Sequence, residues 1–348
     1  MNADSSIDVQ DHVKAHRTAG LAYTRSVFLH NEWFTNLTPV VERQGFTAES
    51  VCSEKHGLCL RLMRQRSRFG QRLYSLANYY SSLYGIQGSH DDEVDKSGID
   101  AMVAQLTEQR PAVSSVDLQP MSQESLDYHA LQASFRAHGW WLQPYFCFGN
   151  WYMPTEGLSY EEYARTLSSR VKNTARRKRN RFLKMEGARL ALYTGSDGCE
   201  VAIDAFQRIY SRSWKQEEPY PEYIRDFALW CAQNGWLRMG VAWLGETPIA
   251  AQFWFVKDGV ASIFKLAYDE EYKSLSTGTL LTVALMQHVL DEDQVREVDY
   301  LTGDDPYKKE WLTHRRERWG LLAINPRTPL GLLLATRHFG AALLKRLR

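Results

Sequence analysis

The sequence predicts an α/β protein of two domains, each with a mixed sheet flanked by helices. The chain of 348 residues is longer than a typical single domain. Its hydrophobic fraction of 44% and aromatic fraction of 12% are sufficient for packed cores. Strand-like alternation and helix-like spacing follow one another in a similar order in both halves. We therefore expect a loose internal duplication, with one domain over residues 26–155 and a second over residues 156–325.

The first half begins with residues 1–25, which are polar and which we expect to be loose. Leu58, Leu60 and Leu62 alternate with polar residues, which is typical of a half-buried strand. The predicted elements are a helix over Phe28–Gly45, strands over Gly57–Gln65 and Arg72–Gly85, a helix ending near Arg110, a strand over Ala112–Pro120, a helix over Ser122–Gly139 and a strand over Trp140–Met153.

The second half follows a joint at Pro154–Ala164 and begins with one long predicted helix from about Ser159 to Met185. The tight turns GETP and KDG join three later strands. The other predicted elements are the strand ARLALYTG, helices at about Glu200–Trp214 and Pro221–Asn234, a helix over Ser276–Asp293, a strand from Arg296, a short helix over Tyr307–Leu312 and the strand RWGLLAIN. Residues 326–348 are predicted to form an amphipathic basic helix that packs on the second domain, contacts a partner or lies on a membrane surface.

Charge and cysteine content narrow the class of protein. The formal net charge is +1, so any attraction to polyanions must be local. The five cysteines have no CxxC spacing, so we expect no disulfide framework and no metal site, and a reducing cytoplasm is favoured. The start of the chain has no apolar signal-peptide core, and no apolar run of about eighteen residues predicts a transmembrane helix.

A basic run, RVKNTARRKRNRFLK, extends from Arg170 to Lys184 and has eight basic and no acidic residues. On a helix its apolar residues share one side, and its cations form two stripes. One stripe contains Lys172, Arg176 and Arg179, and the other contains Arg170, Arg177, Arg181 and Lys184. A solvated face is the ordinary interpretation, but solvated faces usually mix charges. We expect Arg176 and Arg179 to bind substrate phosphates.

Two further patterns predict chemistry. The first is a strand, a loop, a helix and a returning strand within Val260–Trp311, in which the helix N-terminus suits a phosphate and Gly278 allows close approach. Its alternative is an ordinary helix cap. The second is DYLTGDDPYKKEW, in which Asp304 or Asp305 accepts a proton from an amine and Tyr307 donates one to a leaving group. Its alternative is a turn that caps a short helix.

The stretch from Gly245 to Trp311 resembles GNAT-superfamily proteins of the FemAB-like and CelD/BioF2-like acetyltransferase type. The matching pieces are Gly245, Pro248, the strand end Lys265–Asp269, the Ser276–Gly278 loop, and Gly303–Asp304 with Tyr307, Lys308 and Trp311. The similarity covers roughly Ser159–Ile324 and includes the segment FQRIYSRSWK. The family's glycine-rich loop is reduced here to the single Gly278.

The resemblance implies two tandem GNAT-like domains and acyl transfer to an amine. The donor's phosphates would lie at the helix after the fourth strand, and the backbone of the preceding strand would hold the acyl oxygen. The implied acyl-CoA contacts are Ala267, Tyr268, Asp269, Ser276, Thr277, Gly278, Thr279 and Leu280. The expected substrate contacts beside Arg176 and Arg179 are Trp214, Lys265 and Lys308.

The leading functional prediction is a cytoplasmic N-acyltransferase that uses acyl-CoA. Its acceptor would be an amino sugar or an amino-acid-like amine, with phosphate- or nucleotide-linked forms included, in envelope or exopolysaccharide synthesis. One alternative is aminoacyl transfer from tRNA, with the basic run as the RNA contact. Another is a non-catalytic binding protein on an acetyltransferase fold.

Overall fold

The computed structural model describes residues 26–67, 70–89, 93–213, 218 and 220–346. Contacts within the chain define two compact units. The first unit takes the described residues up to Cys147 and those from Glu317 onward, and the second takes Phe148–Arg316. The C-terminal helix thus belongs to the first unit. The predicted loose segment 1–25 and the predicted substrate contact Trp214 lie outside the described residues.

Within the described residues, eleven strands and nine α-helices form. The strands are β1 (Thr47–Ser53), β2 (Leu58–Ser67), β3 (Gly70–Ser75), β4 (Val113–Ser122), β5 (Trp141–Pro154), β6 (Ala188–Thr194), β7 (Leu237–Leu244), β8 (Thr247–Lys257), β9 (Val260–Tyr268), β10 (Glu297–Asp299) and β11 (His314–Ile324). The helices are α1 (Asn31–Arg43), α2 (Lys96–Glu108), α3 (Leu126–Ala137), α4 (Tyr160–Thr166), α5 (Ser169–Phe182), α6 (Cys199–Tyr210), α7 (Pro221–Gln233), α8 (Thr277–Asp291) and α9 (Pro329–Arg346).

The first unit has the strand order β1–β2–β3–β4–β11. Only the β3–β4 pair is parallel. The alternation predicted for β2 is confirmed, since Leu58, Leu60 and Leu62 are at most 4% exposed. The strand predicted over Arg72–Gly85 ends early, at Ser75. The sequence did not predict β1, because TAESVCS has few apolar residues and no clear alternation.

A disulfide joins Cys52 of β1 to Cys59 of β2. The two residues are seven apart in the sequence and are cross-strand partners in the β1–β2 hairpin. The expectation of no disulfide is therefore wrong for this pair. The sequence did not indicate the pairing, because it gave no sign of β1 and so none of the hairpin that brings the two thiols together.

The second unit has the strand order β5–β10–β9–β8–β7–β6, in which only β9 and β10 are parallel neighbours. Trp254 of β8 belongs to a buried cluster with Leu285 of α8. The adjacent Phe253 points to the opposite face, where its ring lies 5.5 Å from that of Phe227 on α7. Helices therefore cover both faces, with α8 on one and α7 on the other.

The long helix predicted from Ser159 to Met185 is two helices, α4 and α5. Leu167 between them is extended, and the Ser168 hydroxyl accepts the N–H of Val171, which caps α5. Ser159 and Glu162 form a capping box on α4. The apolar side predicted for the basic run is confirmed, since Val171 and Phe182 are buried.

Candidate active site

A cavity of about 580 Å³ opens in the second unit at the N-terminus of α8. It lies on the face of the sheet that α8 covers, because the paired residues Gln252 and Leu266 both line it. The other lining residues used below are Arg170 and Thr174 of α5, Tyr268 of β9, Gly278, Thr279 and Thr282 of α8, and Tyr300, Tyr307 and Glu310 after β10. A cavity of this size with a few polar groups suits a small molecule.

One wall of the cavity is an edge of β9 that extends past the end of β10. The three residues of β10 pair only with Val260–Ser262. The N–H of Asp269 donates to Ile249 of β8. Because N–H directions alternate along a strand, the N–H of Leu266 points away from β8, toward this edge. A backbone N–H in such a place can stabilise an oxygen that becomes negatively charged.

The first turn of α8 forms a second wall. Ser276 precedes it with a left-handed φ of 57°, and its side chain makes no capping hydrogen bond. Gly278 and Thr279 line the cavity, whereas Thr277 and Leu280 are buried in the core. The N–H groups of this turn therefore border the cavity, and the positive end of the helix dipole suits an anionic group there.

Gln252 fixes the position of this turn from inside the sheet. Its amide donates to the Gly278 carbonyl at 2.8 Å and to the Thr282 hydroxyl at 2.9 Å. Its carbonyl accepts the indole N–H of Trp254 at 2.9 Å. Among the predicted acyl-CoA contacts on β9, Ala267 is buried and Asp269 instead caps the short helix Glu270–Leu275.

The loop after β10 is held by a buried lysine. The Lys308 ammonium donates to the carbonyls of Thr302 at 2.6 Å and Gly303 at 3.1 Å, and lies 3.3 Å from the Asp305 carboxylate. Burial lowers the pKa of Lys308 despite that carboxylate. We predicted that this side chain would contact substrate, but its amine faces the loop, and it can position Tyr307 next in the chain.

A polar cluster that the sequence did not indicate holds the other end of the loop. Asn150 donates to Asp299 at 2.5 Å and to the Leu301 carbonyl at 2.8 Å. Asp299 also accepts the Leu301 N–H, which fixes Leu301 at a left-handed φ of 54°. The Arg316 guanidinium donates to Asp299 at 2.6 Å and to Glu297 at 2.7 Å. The buried carboxylates are thereby compensated.

Two tyrosines stand where the loop meets the cavity. The rings of Tyr300 and Tyr307 lie edge to face with centroids 5.8 Å apart. The residue as a whole is 40% exposed, but partial burial, and then the neighbouring Asp305 carboxylate, raises the pKa of Tyr307. Burial also raises the pKa of Tyr300. Tyr307 therefore keeps its proton at neutral pH, as a group that donates a proton must.

The two predicted catalytic aspartates do not line the cavity. Asp304 accepts hydrogen bonds from Trp151 at 2.7 Å and from Arg315 at 2.9 Å. These bonds, the one from Arg315 first, lower the pKa of Asp304, which makes its carboxylate a weak base. Asp305 is mostly exposed and contacts Lys308. Of the three predicted catalytic residues, the structure brings Tyr307 alone to the cavity.

Among the described lining residues, Glu310 is the only acidic one. Its side chain is 33% exposed and forms an ion pair with Arg170, which also lines the cavity. Glu310 was not among the predicted site residues, because it lies beyond the Asp-Asp-Pro turn within a short helix, Lys308–Glu310. The one indication in the sequence is its spacing from Tyr307. Glu310 lies three residues later, so the two side chains share one face of such a helix.

Lys265 lies on the other face of the sheet. An extra residue in β9 shifts the register between Phe253 and Trp254, and Lys265 then faces the α7 side with its partner Phe253. There its ammonium lies 2.6 Å from Glu218, and burial lowers its pKa. Glu218 lines a second cavity of about 300 Å³ with Tyr210. Lys265 itself lines neither cavity, and its role as a substrate contact stays a prediction.

The predicted phosphate contacts Arg176 and Arg179 are exposed and do not line either cavity. Arg170, from the other cationic stripe, reaches the cavity instead. Lys178 donates to the Ser274 carbonyl within the second unit. The described part of the chain contains no group of three or more metal-binding side chains and no helix long and apolar enough to cross a membrane.

The family comparison decides what kind of domain surrounds this cavity. The model of the acetyltransferase (GNAT) domain matches residues 169–309, which include α5, β9, α8 and Tyr307. Residues 169–309 form a GNAT domain. The resemblance seen in the sequence is thereby confirmed for this segment. A search of curated proteins found no match.

Solved structures match the fold over about nine tenths of the chain. FemX is 11% identical with a TM-score of 0.59, over 91% of this chain and 98% of that one. A conserved protein of unknown function from Bacteroides thetaiotaomicron is 12% identical with a TM-score of 0.54, over 89% and 97%. L-PGS from Bacillus licheniformis is 13% identical with a TM-score of 0.51, over 88% and 96%. The predicted fold, two α/β units with mixed sheets flanked by helices, is confirmed.

Proposed function

We propose that the protein transfers an acyl group from acyl-CoA to a primary amine in the cavity beside α8. One observation supports this most directly: within the GNAT domain, a single cavity meets the first turn of α8, the open edge of β9 and Tyr307. The helix turn suits an anionic donor, the strand edge suits the acyl oxygen and the tyrosine suits a leaving group.

The residues of the cavity fit the donor. The N–H groups of Gly278 and Thr279 would hold its phosphates, and a Cβ added to Gly278 would lie 3.9 Å from the Tyr268 ring, which leaves the approach open. The N–H of Leu266 would hold the acyl oxygen as charge develops. Acyl-CoA supplies the activated thioester, and correct positioning of two reactants can account for about 7–11 kcal/mol of the barrier.

The proton transfers use Glu310 and Tyr307. The acceptor nitrogen bonds to the acyl carbon while the carbon–sulfur bond breaks. Glu310, the acidic group of the cavity, would take the proton from the amine once Arg170 moves aside to bind substrate. Tyr307 would give its proton to the departing thiolate. Asp304 and Asp305, our first choices as the base, are proposed to orient the loop that bears Tyr307.

The test is transfer from labelled acetyl-CoA to a panel of amines, including amino sugars and amino acids. We expect Tyr307→Phe and Glu310→Gln each to lower kcat about 100-fold, the lower range for a lost acid or base. Transfer to none of these amines, together with no calorimetric heat on adding acetyl-CoA or longer acyl-CoAs, would refute the proposal and favour a non-catalytic protein.

A matched pair at Gly278 tests the donor site separately. Gly278→Ala adds one carbon in ordinary contact with Tyr268, and we expect its KM for acetyl-CoA to stay within about twofold of the original. Gly278→Leu fills the space beside the helix turn, and we expect its KM to rise at least about tenfold, as for a lost phosphate contact. Equal KM values for the two variants would place the donor elsewhere.

A further inference from the structure

The helix α5 has a cationic stripe that neither cavity uses. Lys172, Arg176, Arg179 and Leu183 follow one another at spacings of four, three and four residues, so they form one straight line along the helix. All three cations are exposed, and Leu183 is 45% exposed. We call these four residues the outer stripe. It lies about 100° or more around the helix from Arg170 and Thr174, which line the cavity.

Two basic residues on other sides of α5 have partners within the chain, whereas Arg177 and Arg181 are exposed like the outer stripe. Arg170 pairs with Glu310, and Lys178 is bound to the Ser274 carbonyl. Among the described residues, no carboxylate forms an ion pair with Lys172, Arg176 or Arg179. Lys172 donates to the Arg165 carbonyl, and Arg176 donates to the Asn173 side chain. Like charges at this spacing repel one another, so an anionic partner would stabilise the helix.

We propose that the outer stripe is a docking surface for an anionic lipid membrane. Charge complementarity alone would suit any polyanion. The exposed Leu183 favours a membrane over a nucleic acid. An exposed leucine in line with cations gains free energy when it enters the acyl region of a bilayer, and gains little on an RNA backbone. The stripe has no aromatic residue on which a base could stack. Its straight line lets all four side chains reach one plane together.

Docking on this stripe leaves the cavity accessible, because Arg170 and Thr174 lie on a different side of α5. The surface would hold the enzyme beside anionic headgroups without closing the site. The inference does not depend on acyl transfer, since vesicle binding can be measured with no substrate present.

The experiment is flotation of the full chain with vesicles made of equal parts phosphatidylglycerol and phosphatidylcholine, compared with pure phosphatidylcholine. We expect binding to the anionic vesicles alone, and its loss in about 1 M NaCl, where the Debye length is about 3 Å. Each basic residue contributes about fivefold in affinity at such a surface, so Arg176→Glu with Arg179→Glu should weaken binding at least about 25-fold.

A control variant separates the stripe from overall charge. Arg208→Glu with Arg212→Glu makes the same change in net charge at exposed positions at and beyond the end of α6. We expect it to keep most of the vesicle affinity. If the two double variants lose affinity equally, the attraction is not local to the stripe and the proposal is wrong.

Leu183 separates a membrane from a nucleic acid. We expect Leu183→Ser to weaken vesicle binding about three- to tenfold, from partial loss of one buried leucine, and Leu183→Trp to strengthen it. The proposal is overturned if both Leu183 variants bind vesicles like the original chain, or if the chain binds RNA or heparin but not the anionic vesicles.

Discussion

Replacing Lys308 with methionine should release the loop that bears Tyr307. Methionine keeps the length of the side chain and removes the ammonium. The carbonyls of Thr302 and Gly303 then lose donors at 2.6 Å and 3.1 Å, and Asp305 loses its cation at 3.3 Å. The loop would keep its attachment at Leu301 through Asn150 and Asp299. We therefore expect local opening rather than loss of the fold.

The magnitude follows from those contacts. Two hydrogen bonds from a charged donor contribute about 1.5–3 kcal/mol each, or about 3–6 kcal/mol together. Part of this is recovered, because burying an ammonium costs free energy, as the lowered pKa of Lys308 indicates, and because the exposed Thr302 can bind water instead. We expect the free energy of opening the loop to fall by about 2 kcal/mol. Hydrogen exchange of the loop amides depends on that opening, so it should become about 30-fold faster.

Hydrogen exchange over residues 301–308, with urea unfolding of the whole chain, measures this loss. Lys309→Met is the matched control, since Lys309 is exposed one residue further along and should change stability by less than about 0.5 kcal/mol. In a transfer assay, Lys308→Met should lower kcat more than it raises KM for the donor. If the two methionine variants exchange and unfold alike, Lys308 does not hold the loop.

The lowered pKa of Lys308 also gives the sign of a pH effect. Between its folded pKa and the ordinary value of 10.5, the unfolded chain binds more protons than the folded one, so stability from this group rises with pH. Lys308→Met removes that gain. The difference in unfolding free energy between the original chain and the variant should therefore widen as pH rises through this alkaline window, and a constant difference would contradict the cause we assign.

Three further substitutions have definite expected outcomes in urea unfolding. Arg316→Leu leaves two buried carboxylates without their cation and should lower the free energy of unfolding by about 3–5 kcal/mol. Arg315→Leu breaks a more exposed pair and should lower it by less than about 1 kcal/mol. Equal losses would contradict the buried role of Arg316. Gly320→Ala puts a Cβ within 2.1 Å of the Tyr145 ring and should cost about 1–3 kcal/mol; a neutral result would mean that the ring moves freely. Ser276→Gly relieves a left-handed φ and should stabilise the chain by about 0.5–1 kcal/mol; a loss would show that the hydroxyl is needed.

Much of the fold was predictable because periodicity reports burial. The apolar alternation of β2 and the apolar side of α5 were read correctly from spacing alone, since each buries one side against a core. The break between α4 and α5 was not predicted, because the serine caps that produce it lie within an otherwise continuous helical pattern. The strand β1 was missed because it has little apolar alternation of its own.

The candidate site was predictable in part, for a different reason. Gly278 and Tyr307 were predicted from residue type, a glycine at a helix start and a tyrosine after a turn, and both line the cavity. The face of Lys265 could not be found, because the extra residue in β9 that turns it away from the α8 side leaves no mark in the sequence. Arg176 and Arg170 have the same chemistry, and only the packing of α5 decides which one reaches the cavity. Contacts between residues that are far apart in the sequence cannot be predicted from residue spacing.

The loop before α8 and the first turn of that helix contain one glycine, Gly278, whereas the loops they resemble contain several glycines. The chain must therefore make this turn in another way. The left-handed position falls on Ser276, just before α8, and Gly278 lines the cavity. A second left-handed residue, Leu301, follows Tyr300, which lines the cavity. Non-glycine residues pay about 1–2 kcal/mol for this conformation, so surrounding contacts must hold each in place. For Leu301 these contacts are Asn150 and Asp299. Ser276 and Leu301 thus each lie within two residues of a residue that lines the cavity, whereas Glu156, Asp258 and Gln294, the other described non-glycine residues with positive φ, do not.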